Sequence, residues 1–94
     1  MADATFDWDQ SEDRENRSKH GVAFADAQRA FKDPRRVIAQ DIAHSTTELR
    51  YCCFGLVDGG VMTVRLTWRA NVIRIIGAGY WRKGKAIYAR ENQI

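Results

Sequence analysis

Residues 49–78 decide the fold of this chain, and they read LRYCCFGLVDGGVMTVRLTWRANVIRIIGA. Apolar residues recur at every second position or in short runs, which is typical of β-strands whose side chains point alternately to two faces. Turn-forming residues interrupt the stretch at 58–60 and at 69–71, and such residues tolerate the positive φ of hairpin turns. With a similar run upstream, the pattern predicts four antiparallel strands in meander order, at 36–40, 49–57, 61–68 and 72–78.

A first helix is predicted before the strands. Asp9 can accept the free backbone N–H groups of a first helical turn, and Gly21 can adopt the left-handed conformation that ends a helix. These two signals place the helix at 10–20. It carries almost no apolar residue, so we expect it to be poorly buried. Its expected anchors are Trp8, Val22 and the alkyl stems of Arg14 and Arg17.

Two further helices and a possible lead-in strand complete the predicted order. The second helix is predicted from an apolar stripe with spacings of three and four residues, formed by Phe24, Ala27 and Phe31. Asp33-Pro34 ends it, because proline cannot continue a helix. Residues 82–93 have helical character, and residues 5–8 suit a short strand or an extended lead-in. The sequence therefore predicts an α+β domain with two N-terminal helices, a four-stranded antiparallel meander sheet and a C-terminal helix.

Length and composition restrict the class of protein. A chain of 94 residues has room for one hydrophobic core, so we expect a single domain over 1–94. With 45% hydrophobic and 29% charged residues, neither wholesale disorder nor a fibrous protein is indicated. Residues 1–4 lack the basic and apolar regions of a signal peptide, so we expect a cytoplasmic protein.

The only two cysteines, Cys52 and Cys53, are neighbours in sequence. In a strand they point to opposite faces, which makes an internal disulfide improbable, and a structural zinc site needs more cysteine and histidine ligands. We expect both to be small core residues. The chain also lacks a phosphate-binding glycine loop, a paired-metal carboxylate cluster and a serine triad, so no metal or cofactor is expected.

Positive charge is concentrated in the last third of the chain. Residues 1–58 carry eight Lys and Arg against eleven Asp and Glu, whereas residues 59–94 carry seven against the single acid Glu91. The basic part is a candidate surface for phosphates or for an acidic protein partner, and a solvated basic face is the alternative.

Two arginines in the predicted strands could form a phosphate cradle. Antiparallel pairing through the turn at 69–71 could bring Arg65 and Arg74 onto one exposed face of the sheet. The planar guanidinium of arginine binds two phosphate oxygens at once and stays charged as a transition state forms. The alternative is that each arginine pairs with an acidic neighbour across the sheet.

Lys19 and His20 lie at the predicted end of the first helix. A histidine can exchange a proton near neutral pH, and a neighbouring lysine can stabilise developing phosphate charge. Alternatively, both residues do no more than interact favourably with the helix dipole.

Glu48 and Arg50 are two residues apart and share one face if the strand has begun there. They could form a surface ion pair worth well under about 1 kcal/mol, or they could bind RNA or a partner.

Residues 77–85 hold the densest mixture of aromatic and basic side chains, a combination that contacts single-stranded RNA by stacking and phosphate binding. Tyr80 and Trp81 could instead pack the last helix on the sheet.

Several motifs follow one another in a specific order, namely Phe6-Asp7-Trp8-Asp9, Lys19-His20-Gly21-Val22, Phe24, Ala27, Phe31-Lys32-Asp33-Pro34, Glu48, Arg50 and Arg74-Ile75-Ile76. Taken together, they resemble the BrnT toxin family, and this resemblance implies a RelE-like fold. The resemblance spans about residues 6–90. It implies an endoribonuclease toxin that cleaves RNA without a metal, and a BrnA-type ribbon-helix-helix antitoxin that covers the toxin as a hetero-oligomer.

The resemblance also implies roles for individual residues. In-line attack of a ribose 2′-OH on the adjacent phosphate would give a cyclic phosphate and a 5′-OH end, with His20 or Tyr80 handling protons. The phosphorane charge would be stabilised by Lys19, Arg65, Arg74 and Arg82. The expected RNA-contacting residues are Glu48, Arg50, Arg69, Trp81, Lys83 and Lys85.

The chain departs from the family pattern at one important position. After the last strand the family has a sequence similar to Ser-Ala-Arg, and Gly77-Ala78-Gly79 stands there instead. The missing arginine is a candidate catalytic residue in the family, so either Arg82 replaces it or this protein cleaves weakly. The alternative function is therefore a weakly active or inactive homologue that only binds an antitoxin or nucleic acid.

Overall fold

The computed structural model describes residues 4–94 of the chain. Its elements in order are β1 (Phe6–Asp7), α1 (Gln10–His20), α2 (Phe24–Ala27), a 3₁₀ segment (Gln28–Lys32), β2 (Val37–Gln40), a 3₁₀ segment (Ile42–His44), β3 (Arg50–Val57), β4 (Gly60–Arg69), β5 (Val72–Gly79) and α3 (Arg82–Asn92). The α+β class is confirmed. The bounds of α1 agree with the prediction, and those of α3 and of the four long strands agree within one or two residues.

The sheet has five strands and mixed direction, in the order β1-β5-β4-β3-β2. The predicted all-antiparallel, four-stranded sheet is wrong in this respect, because β1 pairs with β5 in parallel, Phe6 with Ile73 and Asp7 with Arg74. The amide of Ile73 also donates to the carbonyl of Thr5 at 2.9 Å. The short strand considered for residues 5–8 is thus present as β1, but its local sequence does not indicate which strand it pairs with or in which direction.

The two predicted hairpins form at the expected turns. Asp58 and Gly59 have φ of 52° and 84°, and Ala70 and Asn71 have φ of 49° and 67°, as the tight two-residue turns between twisted strands require. Between β4 and β5 the pairing passes from Leu66 opposite Ile75 to Arg65 opposite Gly77. Ile76 is therefore an extra residue, and this β-bulge redirects the chain next to the site described below.

The second predicted helix is shorter than expected. Only Phe24–Ala27 is α-helical, and Gln28–Lys32 continues as a 3₁₀ segment. Asp33 has extended backbone, with φ −69° and ψ 119°, because the residue before a proline is excluded from helical conformation. The last turn therefore tightens, and the amide of Asp33 donates to the carbonyl of Ala30.

The core lies between one face of the sheet and the segment that contains α2. Its fully buried residues include Phe24, Ala27, Ala30, Val64, Leu66 and Ile75. Cys53 is buried in this core and Cys52 is half-buried on the other face, and both are free thiols. Burial raises the pKa of the Cys53 thiol to about 12, so it is a neutral core side chain. The expectation of a core role is confirmed for Cys53 and is wrong for Cys52, which is only half-buried on the opposite face of the sheet.

The opposite face of the sheet is covered in part by α3. Gly84 lies so close to the sheet that a Cβ atom there would overlap the hydroxyl of Thr63 and approach the ring of Phe54 at 3.0 Å. At the other end of α3, the hydroxyl of Tyr88 donates to Asp33 at 2.7 Å. Burial raises the pKa of Asp33, but hydrogen bonds from Leu56, Tyr88 and Arg35 outweigh it and hold that pKa below its usual value.

Helix α1 is held mainly by polar groups. Trp8 and Val22 pack on the core as expected, yet the two buried residues of α1 are Asp13 and Asn16. Asn16 donates to the carbonyls of Val22 and Ala78 at 2.8 and 2.9 Å and accepts from the amide of Ala78 at 3.1 Å. Asp13 accepts from the amide of Phe24 at 2.8 Å. These bonds fix α1 against β5 without an apolar stripe.

Within residues 4–94, no helix is long and apolar enough to cross a membrane.

Candidate functional site

Two adjoining depressions share the side chains of Arg65 and Trp81. The first, which we call the α1 cleft, lies between these two residues and one face of α1 and has a volume of about 270 Å³. The second, the α3 groove, lies between residues 39–44 and α3, above Cys52 and Phe54, and has a volume of about 610 Å³.

One face of α1 supplies four ionisable side chains to the cleft, namely Glu12, Glu15, Lys19 and His20. They share this face because residues three, four, seven and eight apart lie on one side of a helix. Lys19 donates to Glu15 at 2.6 Å, and this hydrogen bond with the lysine charge lowers the pKa of Glu15. Both side chains are well exposed, so the pair is weak and a phosphate can compete for Lys19.

His20 lies at the end of α1, beside Trp81. The two ring centroids are 5.1 Å apart and the planes meet at 86°, an edge-to-face contact that orients the imidazole without burying it. Gly21 follows with φ 69° and ends the helix as predicted. The Lys19-His20 pair is therefore placed at the rim of a depression, with access to solvent.

Arg65 lies on β4 between the two depressions and is half-buried. Its aliphatic part lies across Gly77, where a Cβ atom would be 3.6 Å from Cδ of Arg65. Among residues 4–94, Arg65 has no ion-pair partner. A half-buried guanidinium that no carboxylate neutralises is suited to bind a phosphate.

Arg74 does not reach the α1 cleft. It donates to Asp7 at 2.6 Å and only about a fifth of its side chain is exposed. The two strand arginines are separated along the sheet, since Arg74 lies opposite Thr67 and Arg65 lies opposite Gly77. The alternative of an ion pair across the sheet therefore holds for Arg74, whereas Arg65 has no such partner among residues 4–94 and the two do not form a joint cradle.

Tyr80 and Arg82 also lie outside the α1 cleft. The ring of Tyr80 packs against Gly60, and its hydroxyl donates to the carbonyl of Val57 at 3.1 Å. Burial, with the nearby charge of Asp58, raises the pKa of Tyr80. Arg82 begins α3 with its side chain exposed and lines neither depression.

The other sequence-predicted RNA contacts are divided between two regions. Trp81 and Lys83 line the α3 groove, and Lys85 is exposed on the same helix. Glu48 accepts from Arg69 at 3.3 Å and lies 4.0 Å from Arg50, so these three form an ion-pair cluster apart from both depressions. The structure thus brings together Lys19, His20, Arg65 and Trp81.

Trp81 occupies the space beside Gly79. A Cβ atom at Gly79 would lie 2.5 Å from Cζ2 of the Trp81 indole, well inside van der Waals contact. An arginine at this position would therefore have to displace the indole from its contact with His20. Arg65 lines the α1 cleft, whereas Arg82 does not.

Sequence reasoning missed Glu12 and Glu15. Both line the α1 cleft beside His20, and their helical spacing from Lys19 and His20 was visible in the sequence. A helical projection of α1 would have placed all four on one face. Among residues 4–94, no three histidine, cysteine or acidic side chains are close enough to hold a metal ion.

Comparison with known protein families gives a match over residues 8–84, to the family described as "Ribonuclease toxin, BrnT, of type II toxin-antitoxin system". The matched part includes every residue that lines the α1 cleft. No curated protein matches the sequence significantly.

Proposed function

Because this match covers most of the chain, the protein belongs to the BrnT family of ribonuclease toxins of type II toxin–antitoxin systems, and we propose that it cuts RNA in the α1 cleft. RNA is accordingly its substrate and an antitoxin its partner. The observation that carries the proposal is the position of Arg65, a half-buried cation without an ion-pair partner among residues 4–94, which lines the cleft together with His20 and Trp81. These three supply a phosphate ligand, a proton acceptor and a stacking surface in one depression.

The proposed reaction is a metal-independent transesterification. His20 accepts the proton of a ribose 2′-OH, the 2′-oxygen attacks the adjacent phosphorus, and the bond from phosphorus to the 5′-oxygen breaks. The leaving 5′-oxygen takes a proton from a water molecule, so the products are a 2′,3′-cyclic phosphate and a 5′-OH end. Arg65 and Lys19 stabilise the charge that develops on the phosphorane. Glu12 is the second group on the same face that could accept the proton.

The remaining predicted residues take outer roles in this proposal. Lys83, Arg82 and Lys85 lie on the first turn of α3, where they can contact RNA phosphates on either side of the cut. Arg74 and Tyr80 hold the scaffold through Asp7 and Val57. The cluster of Glu48, Arg50 and Arg69 contacts RNA only if the bound RNA extends beyond the α1 cleft.

The proposal has four finer parts, and the family resemblance supports two of them, the type of antitoxin and the RelE-like fold. The antitoxin is of the BrnA type, with a ribbon-helix-helix part, and binds the toxin as a hetero-oligomer. The fold is RelE-like, the chain acts as a single domain over 1–94, and it acts in the cytoplasm. The mixed sheet with helices on its faces is compatible with the proposed fold.

Replacement of Arg65 by alanine is expected to slow single-turnover RNA cleavage about 100-fold, because one preorganised donor to the transition-state charge is lost. Arg65→Lys keeps the charge but loses the planar fork, so an intermediate loss is expected. Arg29→Ala is the matched control, since Arg29 pairs with Asp58 away from both depressions. Cleavage by Arg65→Ala within twofold of wild type would place the reaction elsewhere.

One observation favours the second candidate function, a weakly active toxin homologue that mainly binds. Gly79 stands where the family arginine is expected, and the Trp81 indole fills the space beside it. If Arg65 did not substitute for that arginine, the cleft would bind RNA without cutting it. RNA retained uncut by excess wild-type protein would favour this function.

A further inference from the structure

The α3 groove is larger than the α1 cleft and has a different chemistry. One wall is α3, the other is the segment 39–44, and Cys52 and Phe54 form the floor. Its volume of about 610 Å³ is in the range of sites that enclose a drug-sized molecule or several side chains of a partner. The residues that the proposed reaction requires occupy only its edge, so the rest of the groove is unexplained by catalysis.

Apolar side chains line the middle of the α3 groove. Ile42 is 81% exposed, so its side chain does not belong to the hydrophobic core. Ile87 and Cys52 are half-buried beside it. Exposed apolar side chains gathered in one depression and bordered by charges are typical of a protein-binding site.

The border of the α3 groove is positively charged. Its cations are Arg65, Lys83 and Arg90, against the single acid Asp41. Asp41 is engaged by His44 at 3.0 Å, and Arg90 pairs with Glu91. Lys83, like Arg65, has no ion-pair partner within the described residues 4–94. An occupant that complements this border therefore carries carboxylates.

The floor of the groove favours a protein segment over RNA. Bases bind single-stranded sites by stacking on exposed aromatic faces. Phe54 is buried and Trp81 lies at the edge that the groove shares with the α1 cleft, whereas the exposed lining at Ile42 and Ala43 is aliphatic. Aliphatic side chains are better buried by other apolar side chains.

We propose that the α3 groove binds an amphipathic segment of the antitoxin, with apolar side chains against Ile42 and Ile87 and carboxylates toward Lys83 and Arg65. The proposal rests on the proposed function, because Arg65 and Trp81 belong to both depressions. A segment in the groove covers these two residues and removes the phosphate ligand of the α1 cleft. The antitoxin thereby inhibits by occupying part of the RNA site, and its binding competes with RNA.

Substitutions at Ile42 test both the apolar and the charged part of this proposal. The toxin is titrated with the antitoxin encoded in the same operon, and Kd is measured without RNA. Ile42→Asp is expected to weaken binding about 30-fold or more, as loss of a central anchor does. Ile42→Lys is expected to weaken it less, because the added charge attracts the carboxylates. Leu49→Asp is the matched control, since Leu49 is 57% exposed but lies outside the groove.

The three variants are then assayed for RNA cleavage with and without antitoxin. All are expected to cut RNA at the wild-type rate alone, and Ile42→Asp is expected to escape inhibition. An unchanged Kd for Ile42→Asp, or equal losses for the aspartate and lysine variants, overturns the proposal. Slower cleavage by Ile42→Asp without antitoxin would instead identify the groove as an RNA surface and also overturn it. Weakened antitoxin binding by Ile42→Asp, together with a saturated wild-type complex that still cuts RNA, supports the docking site and refutes the α1 cleft.

Discussion

Replacing His20 by alanine is expected to slow single-turnover RNA cleavage about 1000-fold, because a positioned general base contributes 100- to 10,000-fold. The reason lies in the structure of the cleft, where the ring of His20 is in edge-to-face contact with Trp81 and Arg65 lines the same depression. Added imidazole is expected to restore part of the rate to His20→Ala, since it can enter an exposed site and accept the same proton.

His44→Ala is the matched control, because His44 is the only other histidine and is bound to Asp41 in the α3 groove. It is expected to cut RNA at the wild-type rate. If His20→Ala kept its rate and Glu12→Gln lost it, the proton acceptor would be Glu12. If neither variant slowed cleavage, the α1 cleft would not be the site of the reaction.

Truncating Asn16 to alanine is expected to lower the free energy of unfolding by about 3 kcal/mol, because buried groups left without partners cost about 1–3 kcal/mol each. Asn16 is 7% exposed and satisfies the amide and the carbonyl of Ala78 and the carbonyl of Val22. Since these bonds also fix α1 beside β5, cleavage should fall as well. Urea denaturation monitored by tryptophan fluorescence measures the loss of stability.

Asn92→Ala is the matched control for Asn16→Ala. The side-chain amide of Asn92 likewise donates to two carbonyls, those of Arg35 and Tyr88, both at 3.0 Å. Asn92 is only half-buried, so water can replace it and a loss of about 1 kcal/mol or less is expected. Equal losses for the two variants would mean that Asn16 is not the anchor of α1.

The hairpins could be predicted because their signals are local. Strand periodicity in β3, β4 and β5 and the turn residues between them determine which positions pair. The capping residues of α1, Asp9 and Gly21, are equally local and fixed its bounds correctly. A short strand at residues 5–8 was one of two interpretations of the sequence, but its parallel pairing with β5 could not be predicted, because β5 lies more than half the chain away.

The anchoring of α1 shows a second limit of sequence reasoning. Asn16 bonds to Ala78, 62 residues further along, and nothing in the local pattern distinguishes it from the exposed polar residues around it. The expected apolar anchors at Trp8 and Val22 are present, but they account for only part of the attachment. A helix with no apolar stripe is a sequence signal that buried polar bonds must compensate.

The candidate site was predictable in its residue types and only partly in its arrangement. Lys19, His20 and Arg65 were identified from their chemistry, and the structure places all three around the α1 cleft. Arg74 was grouped with Arg65 because alternation along a strand gives the face of a side chain. Alternation does not show which residue of a neighbouring strand pairs with Arg74. That partner is Asp7, which lies on the parallel strand β1. The Trp81 indole fills the space beside Gly79, where the family resemblance implies an arginine. Only the three-dimensional packing reveals this.

The chemistry of the RNA ends tests the central claim most directly. Purified wild-type protein is incubated in EDTA with a synthetic RNA and with the same RNA carrying a 2′-deoxy nucleotide at the cut site, and product masses are measured. We expect 2′,3′-cyclic phosphate and 5′-OH ends from the first RNA and an intact second RNA. Products with 5′-phosphate ends, loss of cleavage in EDTA, or RNA that is bound but left uncut would contradict the proposed metal-independent transesterification.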